Sequence, residues 1–142
     1  MPFPNILIDT NICIDAMLNR ESFNLTALKI LEFSEEGTIN GLVSAHTFDT
    51  LFYILIQNNS RKNVYAAIEG LRRTVDIIPV TRNIIDEALA LRWPDFEDAI
   101  HYRAAIAAGC DIIVTRDSTG FKDADLRVLS PLQLLDEIES GR

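Results

Sequence analysis

The sequence has few cysteines, no long apolar run and no signal peptide at its start. It has only two cysteines, Cys13 and Cys110, which lie in apolar surroundings and fit no pair of metal ligands. Two cysteines cannot form the multi-bridge framework of a small secreted domain, so we expect a reducing compartment and interpret both as core residues. No apolar run approaches the length of a membrane span, and the first residues lack the basic end and apolar core of a signal peptide. These absences predict a cytoplasmic protein without a membrane partner.

Positive charge is also scarce. Thirteen Lys and Arg residues stand against 21 Asp and Glu residues, which gives a formal net charge of −8. This balance is unfavourable for a protein that holds nucleic acid through a basic surface, because phosphate binding normally needs clustered Lys and Arg side chains. Divalent cations held by several carboxylates would supply the missing local positive charge.

The length and the apolar content predict one compact unit. The chain has 142 residues, of which 48% are hydrophobic, and this is ample for one continuous core. The sequence contains no repeat, linker or low-complexity segment. We therefore expect a single domain over residues 1–142.

Short apolar segments alternate with amphipathic ones along the whole chain. The segments that favour strands are residues 6–8, 39–43, 75–80 and 112–114, with a candidate edge strand at 127–129. The segments that favour helices are about 12–19, 22–36, a helix opened by Ser44 as N-cap, 61–71, 81–91, 96–108 and 131–138. Such alternation predicts a three-layer α/β/α fold with a mostly parallel sheet of four to five strands.

Four aspartates are candidates for one shared site. In a doubly wound sheet the ligand crevice lies beyond the carboxyl ends of the strands. Asp9 directly follows the first strand and Asp117 follows the fourth, so we expect both at the same rim. Asp98 lies in the first turn of the Ala-rich helix and shares this rim if the helix begins there. Asp49 lies about five residues into its helix, at the edge of an apolar stripe, from where it can face the rim.

Each aspartate also has an ordinary structural explanation. Asp98 can complement the helix dipole with Asp95 as N-cap, and Asp9 and Asp117 can be turn residues. Asp49 can pair with an arginine, although a carboxylate beside an apolar helix face is costly when it is unpaired. As a set, like charges brought close together need a cation to stay ionised. Oxygen ligands without His or Cys favour a hard cation such as Mg²⁺ or Mn²⁺.

The residues around these acids resemble the PIN-domain family, in particular the VapC-like ribonuclease toxins of prokaryotic toxin–antitoxin pairs. The resemblance extends over nearly the whole chain and depends on the order and spacing of four segments. They are Ile-Leu-Ile-Asp-Thr-Asn with Asp9 and Asn11, the helix start from Ser44 to Asp49, Asp-Phe-Glu-Asp-Ala around Asp98, and Thr-Arg-Asp with Thr115 and Asp117.

The resemblance implies a Mg²⁺- or Mn²⁺-dependent endoribonuclease that cleaves RNA phosphodiester bonds, as the toxin of a type II pair. It implies a homodimer and an antitoxin partner that blocks the acidic pocket with a basic side chain. Asn11 and Thr115 are then supporting polar residues. The second acid is often Glu in relatives, whereas this chain has Asp49, one methylene shorter. The implied catalytic and metal-binding quartet consists of Asp9, Asp49, Asp98 and Asp117.

Two other interpretations stay open. Haloacid-dehalogenase-like phosphohydrolases also carry a nucleophilic Asp after the first strand, but they need another Asp two residues later, where this chain has Asn11. A non-catalytic PIN-like RNA-binding or scaffold module would keep the fold without the chemistry.

The remaining polar residues near the acids are weaker candidates. His101, about one turn after Asp98, is interpreted as a solvated histidine on the face of its helix. Arg116, Lys122 and Arg103 either contact phosphate at the rim or form salt bridges with the acids.

Overall fold

The computed structural model describes residues 4–18 and 22–141, and within these residues successive strands are separated by one or two helices or by a 3₁₀ turn. The strands are β1 Asn5–Ile8, β2 Asn40–Ser44, β3 Asp76–Ile78, β4 Ile112–Val114 and β5 Arg127–Leu129. The helices are α1 Thr10–Met17, α2 Asn24–Glu36, α3 His46–Leu55, α4 Arg61–Thr74, α5 Arg82–Leu91, α6 Phe96–Ala107 and α7 Pro131–Glu139, with a 3₁₀ turn at Ser118–Phe121.

The strands form one parallel sheet in the order β3-β2-β1-β4-β5. β1 is central and pairs with β2 on one side and with β4 on the other. Leu7 faces Leu42 of β2 and Ile113 of β4 in this register. The predicted parallel α/β/α architecture is confirmed, and the carboxyl ends of all five described strands lie along one edge of the sheet.

Side chains alternate between the two faces of the central strands, because successive residues of a strand point in opposite directions. Ile6 and Ile8 pack into one apolar cluster, whereas Leu7 packs into the other. Cys13 lies in the first cluster and Cys110 in the second. Burial raises the pKa of the Cys13 thiol to about 12 and that of Cys110 to about 11, so both are inert core residues as predicted.

The helix ends follow local sequence signals in most places. Ser130 and Pro131 begin α7 with a capping box and Pro in the first turn, and Gly37 ends α2 in the left-handed conformation with φ of 83°. Ser44 differs from the prediction, because it is the last residue of β2 and its hydroxyl is buried against His101. The predicted end of the first helix, Asn19, lies outside the described residues.

The described helices are too short or too polar for a membrane span.

Candidate metal centre at the carboxyl edge of the sheet

A cavity of about 310 Å³ opens where β1 and β4 end. Its lining, among the described residues, contains five carboxylates and neither Lys nor Arg. We call it the acidic cavity. Its lining residues are Asp9, Thr10, Asn11, Ile14, Thr50, Ile54, Asp95, Glu97, Asp98 and Asp117.

Asp9 forms the buried floor of the acidic cavity and is only 5% exposed. Its backbone N–H donates to the Val114 carbonyl at 3.1 Å, which continues the pairing of β1 with β4. Its Oδ2 accepts a hydrogen bond from the Thr115 hydroxyl at 2.7 Å. Burial raises the pKa of Asp9 to about 6, although the Thr115 bond opposes this rise. A nearby cation would stabilise the ionised form of this buried carboxylate.

Thr115 and Asn11 support this floor. The Thr115 hydroxyl also accepts bonds from the Asp117 backbone N–H at 3.2 Å and from the Asn11 side-chain amide at 3.4 Å. Oδ1 of Asn11 is buried and finds no hydrogen-bond donor within residues 4–18 and 22–141. Buried polar atoms are normally satisfied, so this oxygen is available to a cation or to its bound water.

Asp98 lies in the first turn of α6, as the sequence predicts, and this turn begins at the cavity rim. Asp95 caps the helix by accepting the Asp98 backbone N–H at 3.2 Å, so the N-cap interpretation of Asp95 is confirmed. Burial, together with the negative charges of Asp95, Asp9, Glu97 and Asp117, raises the pKa of Asp98 to about 7. Asp98 therefore belongs to the same electrostatic cluster as Asp9 and Asp117.

Asp117 lies at the exposed mouth of the cavity. Its Oδ1 accepts bonds from the Thr119 backbone N–H and from the Thr119 hydroxyl. These bonds stabilise the ionised form and lower the pKa of Asp117. Asp117 is thus an ionised group held by its own turn.

Asp49 is not brought to the cavity, which corrects its expected placement. It is exposed, as is Tyr53 one turn later, whereas Thr47, Leu51 and Leu55 form the buried side of α3. A helix turns by about 100° per residue, and this rotation brings the next residue, Thr50, to the cavity wall. α3 therefore contributes the hydroxyl of Thr50 and the apolar Ile54 to the wall, and no carboxylate.

His101 is fully buried, so the prediction of a solvated histidine was wrong. Its Nδ1 lies 2.5 Å from the Ser44 hydroxyl, and its Nε2 lies 3.2 Å from the Thr10 hydroxyl and 3.4 Å from Asp9 Oδ1. Burial, together with the neighbouring His46, lowers the pKa of His101 to about 3, so the ring is neutral. His101 is a direct neighbour of the floor carboxylate.

His46 and Glu97 complete the surroundings of His101, and neither was predicted as a site residue. His46 begins α3, and its Nε2 lies 3.5 Å from Glu97 Oε2. The rings of His46 and His101 lie 4.7 Å apart between centroids. Contact with His46 lowers the pKa of Glu97, while burial opposes this effect. The spacing Glu97-x-x-x-His101 was the available signal, because residues four apart share one face of a helix.

The basic candidates do not line the acidic cavity. Arg116 pairs with Asp15 at 2.5 Å, and its guanidinium lies 4.3 Å from the centroid of the Phe23 ring. Arg103 pairs with Glu87 at 3.1 Å, and Lys122 is exposed. The two salt bridges use acids outside the predicted quartet.

The donor set of the cavity consists of carboxylate, amide and hydroxyl oxygens. Hard cations such as Mg²⁺ and Mn²⁺ prefer such ligands, and Mg²⁺ typically needs only a few carboxylates because it keeps several waters. The unsatisfied Asn11 Oδ1 and the raised pKa values of Asp9 and Asp98 fit the same chemistry. The cavity can therefore hold a divalent cation on Asp9, Asp98 and Asp117.

Comparison with known proteins agrees with this geometry. Residues 5–119 match the family model described as PIN domain. Ribonuclease VapC1 of Aquifex aeolicus is 24% identical over 130 residues, which cover 88% of this chain and 89% of the relative.

Two solved structures share the fold over most of their length. A toxin-antitoxin complex from Klebsiella pneumoniae contains a chain with TM-score 0.67 and 23% identity, with 89% of this chain and 97% of that one covered. Mycobacterium tuberculosis VapC20, described as a Sarcin-Ricin loop cleaving toxin, gives TM-score 0.66 and 16% identity, with 83% and 94% covered. The family match includes the ends of β1 and β4, where the acidic cavity lies, and the chain belongs to the PIN domain family.

Proposed function

We propose that this chain is a ribonuclease that cleaves RNA phosphodiester bonds with Mg²⁺ or Mn²⁺ held in the acidic cavity. One observation carries the proposal: Asp9, Asp98 and Asp117, which are far apart in sequence, line a single cavity beside an unsatisfied Asn11 oxygen. The relative named Ribonuclease VapC1 and the structural neighbour described as a Sarcin-Ricin loop cleaving toxin support the choice of RNA.

In this mechanism the chain supplies geometry and negative charge. Asp9 is oriented by Thr115 on the rigid sheet, and Asp98 is oriented by the first turn of α6. Asp117, in the turn that follows β4, places its carboxylate at the mouth of the cavity. When bound, Mg²⁺ or Mn²⁺ supplies the positive charge that stabilises the phosphate and favours deprotonation of the attacking water. The exposed Asp49 has no part in this set.

The test compares four chains in one cleavage assay. The parent is incubated with structured RNAs in Mg²⁺, in Mn²⁺ and in EDTA, next to Asp9→Asn, Asp98→Asn and Asp49→Asn. We expect cleavage that requires the metal. Loss of an outer partner of a metal site costs about 10–100-fold in activity, and we expect a fall at least this large in the first two variants, because each removes a carboxylate ligand. Asp49→Asn is the matched control and retains parental activity.

Two results would overturn the proposal. Cleavage that survives EDTA, or that is unchanged in Asp9→Asn, would come from a contaminating nuclease. Loss of cleavage in Asp49→Asn equal to that in Asp98→Asn would restore Asp49 to the acidic set and contradict the placement proposed for α3.

We also propose that the chain acts as a toxin with a protein antitoxin, because one structural neighbour is a toxin-antitoxin complex. Expression of the parent is then expected to arrest growth, and co-expression of the neighbouring gene's product is expected to relieve the arrest. Asp9→Asn should be tolerated without that product. A parent chain tolerated at high level would contradict the toxin role while leaving the nuclease proposal intact. The homodimer implied by the resemblance is part of the same proposal and is measured by light scattering.

A further inference from the structure

A second group of metal-binding side chains lies beside the acidic cavity. His46, Glu97 and His101 each offer one ligand atom, and these three atoms lie within 4.8 Å of one another. Glu97 also lines the acidic cavity, so the two groups share one wall. The ligand chemistry differs, because this group contributes two imidazoles whereas the cavity contributes oxygens.

The fold explains why these three residues meet. Glu97 and His101 are four residues apart on α6 and therefore lie on the same helix face. His46 begins α3 directly after β2, and β2 ends at the same edge of the sheet as β1. The first turn of α3 is thus brought against α6.

His101 is already oriented for metal binding. A metal-binding histidine usually donates its second ring N–H to a neighbouring acceptor, which fixes the tautomer. The Ser44 hydroxyl, 2.5 Å from Nδ1, can accept that hydrogen and leave the lone pair on Nε2. The Thr10 hydroxyl, which now contacts Nε2, has a second partner in Thr47 at 3.0 Å and is not left unsatisfied when an ion replaces it.

His46 supplies an independent observation. Both of its ring nitrogens are buried, and Nδ1 has no hydrogen-bond partner in the part of the chain that the structure describes. Nε2 faces Glu97 Oε2 at 3.5 Å without the alignment of a hydrogen bond. Buried ring nitrogens normally have partners, and an ion bound between His46, Glu97 and His101 would supply one to Nε2.

The distances suit a small transition metal ion. Zn²⁺ binds its ligands at about 2.0–2.2 Å in a tetrahedron, which requires ligand atoms roughly 3.3–3.5 Å apart. His46 Nε2 and Glu97 Oε2 lie 3.5 Å apart. The His101 ligand atom lies within 4.8 Å of the other two, so we expect the partly exposed His46 and Glu97 side chains to move toward it when an ion binds. Three protein ligands leave one position open, as in zinc sites that bind water or substrate.

We propose that His46, Glu97 and His101 form a second cation site, selective for Zn²⁺ or a similar transition metal, next to the Mg²⁺ or Mn²⁺ site of the acidic cavity. Imidazole ligands favour such ions, whereas Mg²⁺ prefers carboxylates and water. The ion enters from the side of His46 and Glu97, whose side chains are 25% and 40% exposed.

The test is a Zn²⁺ titration by calorimetry on the EDTA-treated and dialysed full chain in millimolar Mg²⁺. We expect one Zn²⁺ to bind per chain. His46→Gln and His101→Gln should weaken this binding by about 10–100-fold, because each removes one nitrogen ligand. Asp117→Asn is the matched control, since it removes an acid of the acidic cavity that is not a ligand of the proposed Zn²⁺ site, and it should weaken Zn²⁺ binding clearly less than His46→Gln does. Circular dichroism establishes that each variant is folded, and the partly exposed His46 keeps the test valid if His101→Gln does not fold.

The outcomes separate this site from the nuclease site. Absence of Zn²⁺ binding, or binding to His46→Gln as tight as to the parent, overturns the proposal. Equal weakening in His46→Gln and Asp117→Asn also overturns it, because Zn²⁺ would then occupy the acidic cavity. RNA cleavage in Mg²⁺ is measured on the same preparations, so a failed nuclease proposal does not alter the Zn²⁺ result.

Discussion

Gly120 lies directly against the carboxylate of Asp98. A Cβ atom built on Gly120 would overlap Asp98 Oδ2. The 3₁₀ turn that follows Asp117 therefore packs its backbone on the side chain of another cavity acid, and only a residue without a side chain leaves that carboxylate where it is.

Gly120→Ala is expected to displace Asp98 and to weaken both Mn²⁺ binding and RNA cleavage, by about 10–100-fold, as outer positions of metal sites do. Gly70→Ala is the matched control, because its nearest neighbour is the end of Arg73 at 4.0 Å. That variant should bind Mn²⁺ like the parent and gain roughly 0.5–1 kcal/mol of stability from the helix. Parental activity in Gly120→Ala would show that Asp98 is not needed in its present position.

Cation binding in the acidic cavity should weaken as the pH falls. Burial raises the pKa of Asp9 to about 6 and that of Asp98 to about 7, so protons compete with the cation below these values. Thr115→Val removes the hydrogen bond that opposes the rise at Asp9 and should move the fall in affinity to higher pH. Calorimetric Mn²⁺ titrations between pH 5 and 8 measure both curves. A pH-independent affinity would contradict cation binding by these two acids.

His101 should make the fold sensitive to acid. Its pKa in the folded chain is about 3, against an ordinary value of 6.5, so below 6.5 the unfolded chain binds a proton that the folded chain does not. This contribution to stability is complete above pH 6.5 and is lost as the pH falls toward 3. Asp9 acts in the opposite direction, because its raised pKa favours the folded state at low pH and this gain is lost as the pH rises through about 6.

The two effects separate in the variant His101→Gln. With the histidine removed, the metal-free chain should be more stable at pH 5 than at pH 7.5, because the acids then dominate the pH dependence. Urea unfolding at both pH values measures the difference for the parent and for the variant. An unchanged pH dependence in His101→Gln would mean that His101 is not neutral and buried in the native state.

Arg116 should contribute to stability instead of substrate binding. It pairs at 2.5 Å with Asp15, which is fully buried, and its guanidinium lies over Phe23. Removing one partner of a fully buried ion pair costs about 3–5 kcal/mol. The Arg116 side chain is 27% exposed, so Arg116→Ala should cost less than this and should still unfold at lower urea concentration than the parent. Lys122→Ala, a change of an exposed cation in the same region, should not alter unfolding. A parental unfolding curve for Arg116→Ala, together with weaker RNA binding, would assign Arg116 to the substrate instead.

The fold was predictable because strong local signals agree with one another. Buried runs such as residues 6–8 and 112–114 alternate with amphipathic segments, and the parallel sheet follows from that order. Asp9 and Asp117 were predictable for the same reason, since residues after parallel strands meet at one edge. The prediction is therefore most accurate for residues that directly follow a strand, because the strand order places their side chains at a known edge of the sheet.

The site residues on helices were harder to predict, because the direction of a side chain depends on how the helix is rotated about its axis. Asp49 and Thr50 differ by about 100°, and the apolar stripe of α3 is too wide to decide which of them faces the cavity. His101 lies on a helix that is buried on most sides, and its polar partners Ser44 and Thr10 come from distant segments. Such a contact depends on how α3, α6 and the sheet pack together, which sequence periodicity does not specify.

The hydrogen bond from the Asp9 amide to Val114 has a consequence for dynamics. The residue at the floor of the cavity is part of the β1–β4 ladder, so its amide proton exchanges with solvent only when the centre of the sheet opens. Asp117, in contrast, belongs to an exposed turn that can open locally. The floor of the cavity thus persists as long as the chain is folded, while its mouth can adjust to whatever enters.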